Sequence, residues 1–256
     1  MEREAKLKTD TGWLTVAGLF WLKEGENKFG SAADNDLVLP ASAPAHAGVF
    51  TMKNRKVAVR TAAAMLKGQA PASGFVLTND SEGKEDVLEM GSLRMFVIDR
   101  GEKTGIRMRD LHSQYRREFT HLRWYPVAEK FRVEARFEPR PEKTVRIPNI
   151  AGTYDEYKAN GIVVFRLNGQ EHRLEPVLSD GRLFLIFKDK TAVKTTYGAG
   201  RFLYADLPKD GKTVLDFNKA YNPPCAFTPY ATCPLPPKHN HLPVAVEAGE
   251  LNYGSH

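Results

Sequence analysis

Apolar and polar positions alternate along most of this chain, in short runs that are bounded by turn residues. The clearest run is FRVEARF, in which Phe131, Val133, Ala135 and Phe137 share one face and the charged residues share the other. A period of two is the pattern of a half-buried β-strand. Hardly any stretch shows the period of about 3.6 residues that marks an amphipathic helix. The pattern therefore predicts a mostly antiparallel β protein.

Turn residues divide the runs into elements. The segment VVFRLNGQEHRLEPV indicates a hairpin that turns at Asn168-Gly169, the preferred dipeptide of a type I′ turn. Near the start, a charged stretch over residues 1–11 precedes the apolar cluster GWLTVAGLFWL, which glycines interrupt. This cluster predicts an anchoring segment that leads into a turn and a strand.

A domain boundary is predicted near residues 112–130. Residues 1–120 would form a β-sandwich that begins with the anchoring segment. Residues 121–256 would form an antiparallel β-barrel or second sandwich that carries an irregular, proline-rich loop. No flexible linker separates the halves, so we expect them to pack tightly.

Composition narrows the class of protein. Hydrophobic residues make up 42% of the chain, which excludes a disordered protein. The net charge of +6 could attract nucleic acid, but no nucleic-acid module accompanies the basic residues of 94–123, and a solvated face is the favoured interpretation.

No apolar run reaches the roughly 18–20 residues of a membrane span. Charged residues follow Met1 directly, which favours a cytoplasmic protein; an exported protein without its leader is the alternative.

The chain lacks the short motifs of several large enzyme classes. It contains no Walker loop, GxGxxG, HExxH, GxSxG or CxxC sequence. Nucleotide-driven and familiar hydrolase mechanisms are therefore disfavoured, and no cofactor is predicted. Whether the protein is an enzyme stays open at this point.

The first half contains a turn, a short apolar strand and two polar residues before the next strand, namely Gly30, Asn35, Asp36, Leu37–Leu39, Ser42 and His46, and it has Gly91 in a later turn. This arrangement resembles a forkhead-associated domain. It implies a β-sandwich that binds phosphopeptides. Ser31 stands where that family has its phosphate-binding arginine, and the spacing from Ser42 to His46 is one residue too long. Loss of the arginine removes the strongest phosphate contact, so a sandwich without phosphopeptide binding is the favoured outcome.

The second half carries a longer signature. The run YGAGRFLYADLPKDGKTVLDFNKAYNPPCAFTPYATCPLPP, followed by NHLPVAVEAGE and taken with GWLTVAGLFWL, resembles the bacterial and archaeal family of unknown function DUF1684 over essentially the whole chain. Members tend to have Asn-Arg-Leu where this chain has Asn240-His241-Leu242. The resemblance implies no activity, so candidate residues must be taken from the sequence itself.

The stretch AYNPPCAFTPYATCPLPP, residues 220–237, holds six prolines and both cysteines of the chain. Proline fixes φ near −65° and restricts the residue before it, so such a segment can hold an irregular loop against a β scaffold. Candidate cis peptides are Asn222-Pro223, Thr228-Pro229 and Cys233-Pro234. Rigid, irregular loops are common places for functional sites, and we expect the site of this protein here.

Arg201 is the predicted anchor for an anionic group of a small-molecule ligand, and Gly198 and Gly200 would let the ligand approach the backbone. A buried ion pair between Arg201 and Asp216 is the alternative. The predicted ligand-binding residues are Tyr197, Arg201, Asn218, Asn222 and Tyr230. The predicted catalytic residues are Asp216 as general base, Tyr221 and Cys225.

Two further questions are left open by the residues. Cys225 and Cys233 could be buried thiols or a disulfide, or Cys225 could be a nucleophile with a nearby histidine as its base. His239 and His241 would point the same way on a strand and could bind a metal with Glu247 or Glu250. The family-typical arginine at 241 argues against that site, and no metal is predicted.

The sequence therefore predicts a small-molecule site at the proline-rich loop, with or without catalysis. A protein partner or phosphopeptide bound by the first half is the alternative. A third interpretation makes the proline-rich loop purely structural.

Overall fold

Alternating runs become strands throughout the computed structural model, which describes residues 2–254. Strands account for 46% of the structure and helices for 11%, so the predicted mostly-β class is confirmed. The chain divides into two units, Met1–Phe119 and Thr120–His256. None of the helices within residues 2–254 has the length and apolar character needed to cross a membrane.

The N-terminal unit contains two five-stranded sheets. Its helices are α1 (Glu2–Lys8) and α2 (Gln114–Glu118), and its strands are β1 (Val16–Trp21), β2 (Gly25–Gly30), β3 (Leu37–Val38), β4 (Gly48–Lys53), β5 (Lys56–Thr61), β6 (Met65–Leu66), β7 (Phe75–Leu77), β8 (Leu88–Met90), β9 (Leu93–Arg100) and β10 (Lys103–Asp110). One sheet has the order β1-β10-β9-β8-β6 and the other β3-β2-β4-β5-β7. All pairs are antiparallel except β2 with β3.

The two sheets of this unit share one hydrophobic core, as a β-sandwich requires. Phe29 and Phe50 from neighbouring strands stack with ring centroids 4.4 Å apart and are fully buried. Met95 and Ile106 of the other sheet belong to the same core. The apolar cluster near the start takes part in this unit, because β1 pairs with β10 after a 3₁₀ turn at Trp13–Thr15.

The C-terminal unit is a seven-stranded sheet that curls into a half-barrel. Its strands are β11 (Arg132–Pro148), β12 (Tyr154–Leu167), β13 (Gln170–Leu174), β14 (Val177–Ser179), β15 (Arg182–Phe187), β16 (Arg201–Ala205) and β17 (Lys212–Asp216), with 3₁₀ turns at Glu129–Phe131, Phe217–Lys219, Pro224–Ala226 and Lys238–Asn240. The order is β16-β15-β14-β12-β11-β17, and β13 also pairs with β12.

Local signals predicted parts of this sheet well. Asn168 and Gly169 both have positive φ, 51° and 78°, so the hairpin between β12 and β13 turns where predicted. Ala135 and Phe137 are buried on one face of β11 while Arg136 is exposed on the other. The length of β11 was missed, because the strand continues through its central prolines with a register shift between Pro139 and Lys143. A proline cannot donate to the ladder, and a bulge is how a sheet accommodates it.

Candidate functional site

The proline-rich segment, residues 220–237, has the irregular shape that its composition predicted. The backbone N–H of Ile150 donates to the Cys233 carbonyl at 2.9 Å, and that of Leu235 donates to the Pro148 carbonyl at 2.8 Å, so the end of β11 holds its second half. A 3₁₀ turn at Pro224–Ala226 shapes its first half. No peptide bond within the described residues is cis, so the three X–Pro bonds named above are trans.

Tyr197 meets the two cysteines of this segment, and we call Tyr197, Cys225 and Cys233 the thiol cluster. The cysteines are not joined by a disulfide. The Cys225 backbone N–H donates to Sγ of Cys233 at 3.1 Å, and the Tyr197 hydroxyl donates to the Cys225 carbonyl at 3.1 Å. Cys225 is partly exposed, whereas Cys233 is buried. Of the predicted site residues, Tyr197 and Cys225 are therefore brought together.

The thiol cluster changes the acidity of its members. A hydrogen bond from the Cys233 thiol lowers the pKa of Cys225, and with a further bond from Tyr197 this outweighs burial, which acts in the opposite direction. Burial raises the pKa of the Tyr197 hydroxyl, and the neighbouring Cys225 raises it further. Tyr197 therefore stays protonated at neutral pH as a donor, while Cys225 has a larger thiolate fraction than an ordinary cysteine.

Arg201 has a different role from the one that the sequence suggested. Its guanidinium is 1% exposed and donates to the Asp189 carboxylate at 2.6 Å, to the Val246 carbonyl at 2.9 Å and to the Ala248 carbonyl. The partner is Asp189, so the alternative pairing with Asp216 is wrong. These three acceptors surround the buried guanidinium. Its charge therefore interacts with protein groups and not with the anionic ligand that was expected.

The two glycines before Arg201 also face protein atoms. A Cβ atom placed on Gly200, which has φ of +106°, would lie 2.5 Å from Cγ of Pro236 and 2.7 Å from the Phe187 carbonyl oxygen. A Cβ on Gly198 would lie 3.2 Å from a methyl group of Val193. The close approach that Gly200 permits is therefore made by the proline-rich segment itself.

Asp216 and Asn218 form a cap around the 3₁₀ turn Phe217–Lys219. The Asp216 carboxylate accepts from the backbone N–H and the side-chain amide of Asn218, at 3.2 and 3.0 Å. The Asn218 amide also bonds to both backbone groups of Ala128, each at 3.0 Å. Within the described part of the chain, no hydrogen bond or ion pair joins Asp216 to Tyr197 or Cys225.

The remaining predicted site residues are spread along the segment. Tyr221 packs edge-on against Phe202, and the two residues exchange backbone hydrogen bonds at 2.9 Å. Asn222 is fully buried, and its amide donates to the Leu251 carbonyl at 2.7 Å. Tyr230 is partly exposed, and its backbone N–H donates to the Thr228 hydroxyl at 3.3 Å.

The two histidines do not converge, contrary to the strand geometry considered above. They lie on and next to a 3₁₀ turn, where alternate residues do not share a face. His239 approaches the Glu175 carboxylate at 3.4 Å, and His241 lies 3.2 Å from the Pro236 carbonyl. Residues 2–254 contain no group of three or more acidic, histidine or cysteine side chains placed to hold a metal ion.

Two important residues were missed as members of the framework. Asp189 accepts from the Thr191 backbone N–H at 2.7 Å as well as from Arg201, and the Asp-x-Thr spacing is a recognisable turn signal. Asn240 is 1% exposed and bonds to both backbone groups of Glu175 and to the Ile186 carbonyl. No local signal distinguishes Asn240 from a surface asparagine, because all its partners are distant in the sequence.

The N-terminal unit holds the turn that suggested a forkhead-associated domain. Asn35 is buried and donates to the carbonyls of Ala32 and Ala45 at 2.8 Å each, so its amide closes the turn. The Ser31 hydroxyl donates to the Ala43 carbonyl at 2.8 Å. His46 is exposed, with its ring nitrogen 3.9 Å from the Asp34 carboxylate.

A groove of about 770 Å³ lies beside this turn and is bordered by basic residues. Lys28, Val49 and Arg60 are paired across β2, β4 and β5, so their side chains lie in one row on the outer face of that sheet. His46 and Ser73 also border the groove. We call this surface the basic groove.

The second half of the chain matches a protein family. The family described as a protein of unknown function (DUF1684) matches residues 117–251. The chain belongs to the DUF1684 family. The region shared with DUF1684 includes the whole thiol cluster and the Arg201–Asp189 pair.

A solved relative is also uncharacterised. The solution NMR structure of a protein from Haloarcula marismortui is 30% identical and matches 53% of this chain and 78% of its own, with a TM-score of 0.44. No curated protein matches the chain. Neither DUF1684 nor the archaeal protein has an assigned activity, and the resemblance of residues 30–46 to a forkhead-associated domain stays a prediction.

Proposed function

We propose that the C-terminal unit binds a small organic ligand at the thiol cluster, with the Tyr197 hydroxyl and the Cys225 thiol as recognition groups. The observation that carries this proposal is their meeting at the proline-rich segment, where the protonated Tyr197 hydroxyl bonds to the Cys225 carbonyl and Cys225 carries a partly exposed thiol of lowered pKa. Preorganised groups of this kind bind with little ordering cost.

The chemistry of the cluster defines the ligand class. A thiol of lowered pKa is a nucleophile, so it suits ligands with an electrophilic carbon or sulfur atom. On ligand binding, the Tyr197 hydroxyl would turn its proton from the Cys225 carbonyl to an oxygen or sulfur atom of the ligand. Because Asp189 binds the Arg201 guanidinium, Arg201 does not contribute to recognition of this ligand.

A thermal-shift screen with small carbonyl compounds and disulfides tests the proposal. We expect at least one compound to raise the melting temperature of the protein, and Tyr197→Phe and Cys225→Ser to abolish that shift. Tyr154→Phe is the matched control, because Tyr154 is an exposed tyrosine of the same unit outside the cluster. Shifts that persist in the Tyr197 and Cys225 variants would place the ligand elsewhere.

The basic groove supports a second candidate function, which is recognition of a phosphorylated peptide by the N-terminal unit. Lys28 and Arg60 supply two positive charges to one side of the groove, and His46 and Ser73 supply hydrogen-bonding groups. Charge-assisted hydrogen bonds from such groups are the usual means of holding a phosphate. Arg60 also contacts Glu26 at 3.4 Å, a solvent-exposed pair that a phosphate can displace at little cost.

Fluorescence anisotropy with a phosphothreonine peptide library tests this candidate. We expect Lys28→Gln and Arg60→Gln each to weaken binding by about tenfold, and His46→Ala and Ser42→Ala to show whether the turn also contributes. Lys53→Gln removes an exposed charge of β4 that does not border the groove, so it should leave affinity unchanged. Equal binding of phosphorylated and unphosphorylated peptides would reject phosphate recognition.

A further inference from the structure

The two thiols of the cluster are arranged for a reaction that the proposed ligand binding does not itself require. Sγ of Cys233 accepts a hydrogen bond from the backbone N–H of Cys225 at 3.1 Å, and the neighbouring Cys233 side chain lowers the pKa of Cys225. The two cysteines therefore already lie side by side, although eight positions separate them in the sequence. A single buried cysteine would have no second cysteine beside it.

The backbone around each sulfur atom is held from outside the loop that joins them. Ile150 donates to the Cys233 carbonyl at 2.9 Å, and Tyr197 donates to the Cys225 carbonyl at 3.1 Å. Pro224 and Pro234 stand directly before Cys225 and after Cys233 and restrict the backbone there further. The backbone at each cysteine is therefore held by residues that lie outside the loop between them.

We propose that Cys225 and Cys233 form a dithiol–disulfide couple that reacts with low-molecular-weight disulfides. The inference rests on the proposed function in one respect, namely that a small molecule reaches the face of the segment where Cys225 is exposed. Low-molecular-weight disulfides are the substrate class, and Cys233 is the second reacting residue.

The exchange proceeds in two balanced steps. The Cys225 thiolate attacks one sulfur atom of the small disulfide, so a mixed disulfide forms and the first small thiolate leaves. Cys233 then loses its proton and attacks Sγ of Cys225, so the internal disulfide forms and the second small thiolate leaves. The two cysteines are oxidised and one small disulfide is reduced to two thiols.

The roles of the two cysteines follow from their surroundings. Cys225 is partly exposed and has the lowered pKa, so it is the attacking thiol, while the buried Cys233 is placed to resolve the mixed disulfide. Tyr197 keeps its proton and, by turning it from the Cys225 carbonyl to sulfur, would stabilise either the Cys225 thiolate or the small thiolate that leaves. The reverse reaction, with a small thiol as reductant, passes through the same mixed disulfide.

Intact-mass spectrometry of the full-length protein, reduced and then treated with oxidised glutathione, tests this inference. We expect the wild-type protein to lose the mass of two hydrogen atoms, with a glutathione adduct only as an intermediate. Cys233→Ala should stop at one stable glutathione adduct, and Cys225→Ala should react at least about tenfold more slowly. The chain has only these two cysteines, so each product is assigned without ambiguity.

Two results would overturn the inference: a wild-type protein that stays unmodified or ends as the adduct, and a Cys225→Ala variant that reacts as fast as the wild type. Circular dichroism checks that each variant is folded, and serine variants replace any alanine variant that is not. As a second measurement, the pH midpoint of iodoacetamide labelling should lie below that of an ordinary cysteine and rise in Cys233→Ala.

The outcomes also separate this inference from the proposed function. Ligand shifts that require Tyr197 and Cys225, without any internal disulfide, would preserve ligand binding and reject the couple. Formation of the internal disulfide without any ligand found in the screen would support the dithiol–disulfide couple and reject the proposed ligand binding.

Discussion

Replacement of Asp189 by alanine is expected to reduce the free energy of unfolding of the C-terminal unit by about 3–5 kcal/mol. The Asp189 and Arg201 side chains are 2% and 1% exposed, so the variant leaves a guanidinium buried without its counter-charge. The Thr191 backbone N–H loses its acceptor as well. Urea unfolding measured by hydrogen exchange of β16 is the suitable assay, because two units can unfold separately.

Two variants make this experiment specific. Arg182 and Asp206 form an exposed pair at 3.3 Å in the same unit, so Asp206→Ala should change stability by no more than about 1 kcal/mol. The double variant Asp189→Leu with Arg201→Met removes both charges and should recover part of the loss, because no charge is then left buried alone. A loss for Asp189→Ala as small as that for Asp206→Ala would contradict the structural role of the buried pair.

Replacement of Asn240 by alanine is expected to cost about 3 kcal/mol. The Asn240 amide donates to the Glu175 and Ile186 carbonyls at 3.0 and 3.1 Å and accepts from the Glu175 backbone N–H at 2.9 Å. Truncation leaves these buried backbone groups without their partner, and such groups are costly when water cannot reach them. The same urea assay measures the loss.

The neighbouring His239 provides the control for Asn240. Its side chain is 58% exposed and contacts only the edge of the Glu175 carboxylate, at 3.4 Å, so His239→Ala should change stability little. Asn240→Asp keeps the acceptor but turns both donors into an oxygen that faces carbonyls, and it should be at least as destabilising as alanine. Wild-type stability in either Asn240 variant would show that the asparagine does not secure this part of the chain.

The second half of the chain shows how far local patterns extend. The hairpin at Asn168-Gly169 was predicted because a type I′ turn needs two residues that tolerate positive φ, a preference that acts between neighbours. The rigidity of residues 220–237 was predicted because proline restricts its own backbone and that of the preceding residue. The length of β11 was not, because only pairing with β12 carries a strand past Pro139.

The residues of the candidate site show the same difference between local sequence signals and tertiary structure. The sequence by itself determined the β class, the hairpin and the segment in which Cys225 and Cys233 lie, since alternation, turn residues and proline act within a few positions. Tertiary structure alone decided that Tyr197 joins the two cysteines and that Arg201 pairs with Asp189. Charge and hydrogen-bonding capacity can be recognised in a sequence, but the curl of the sheet selects the partner, because it determines which distant side chains are buried together.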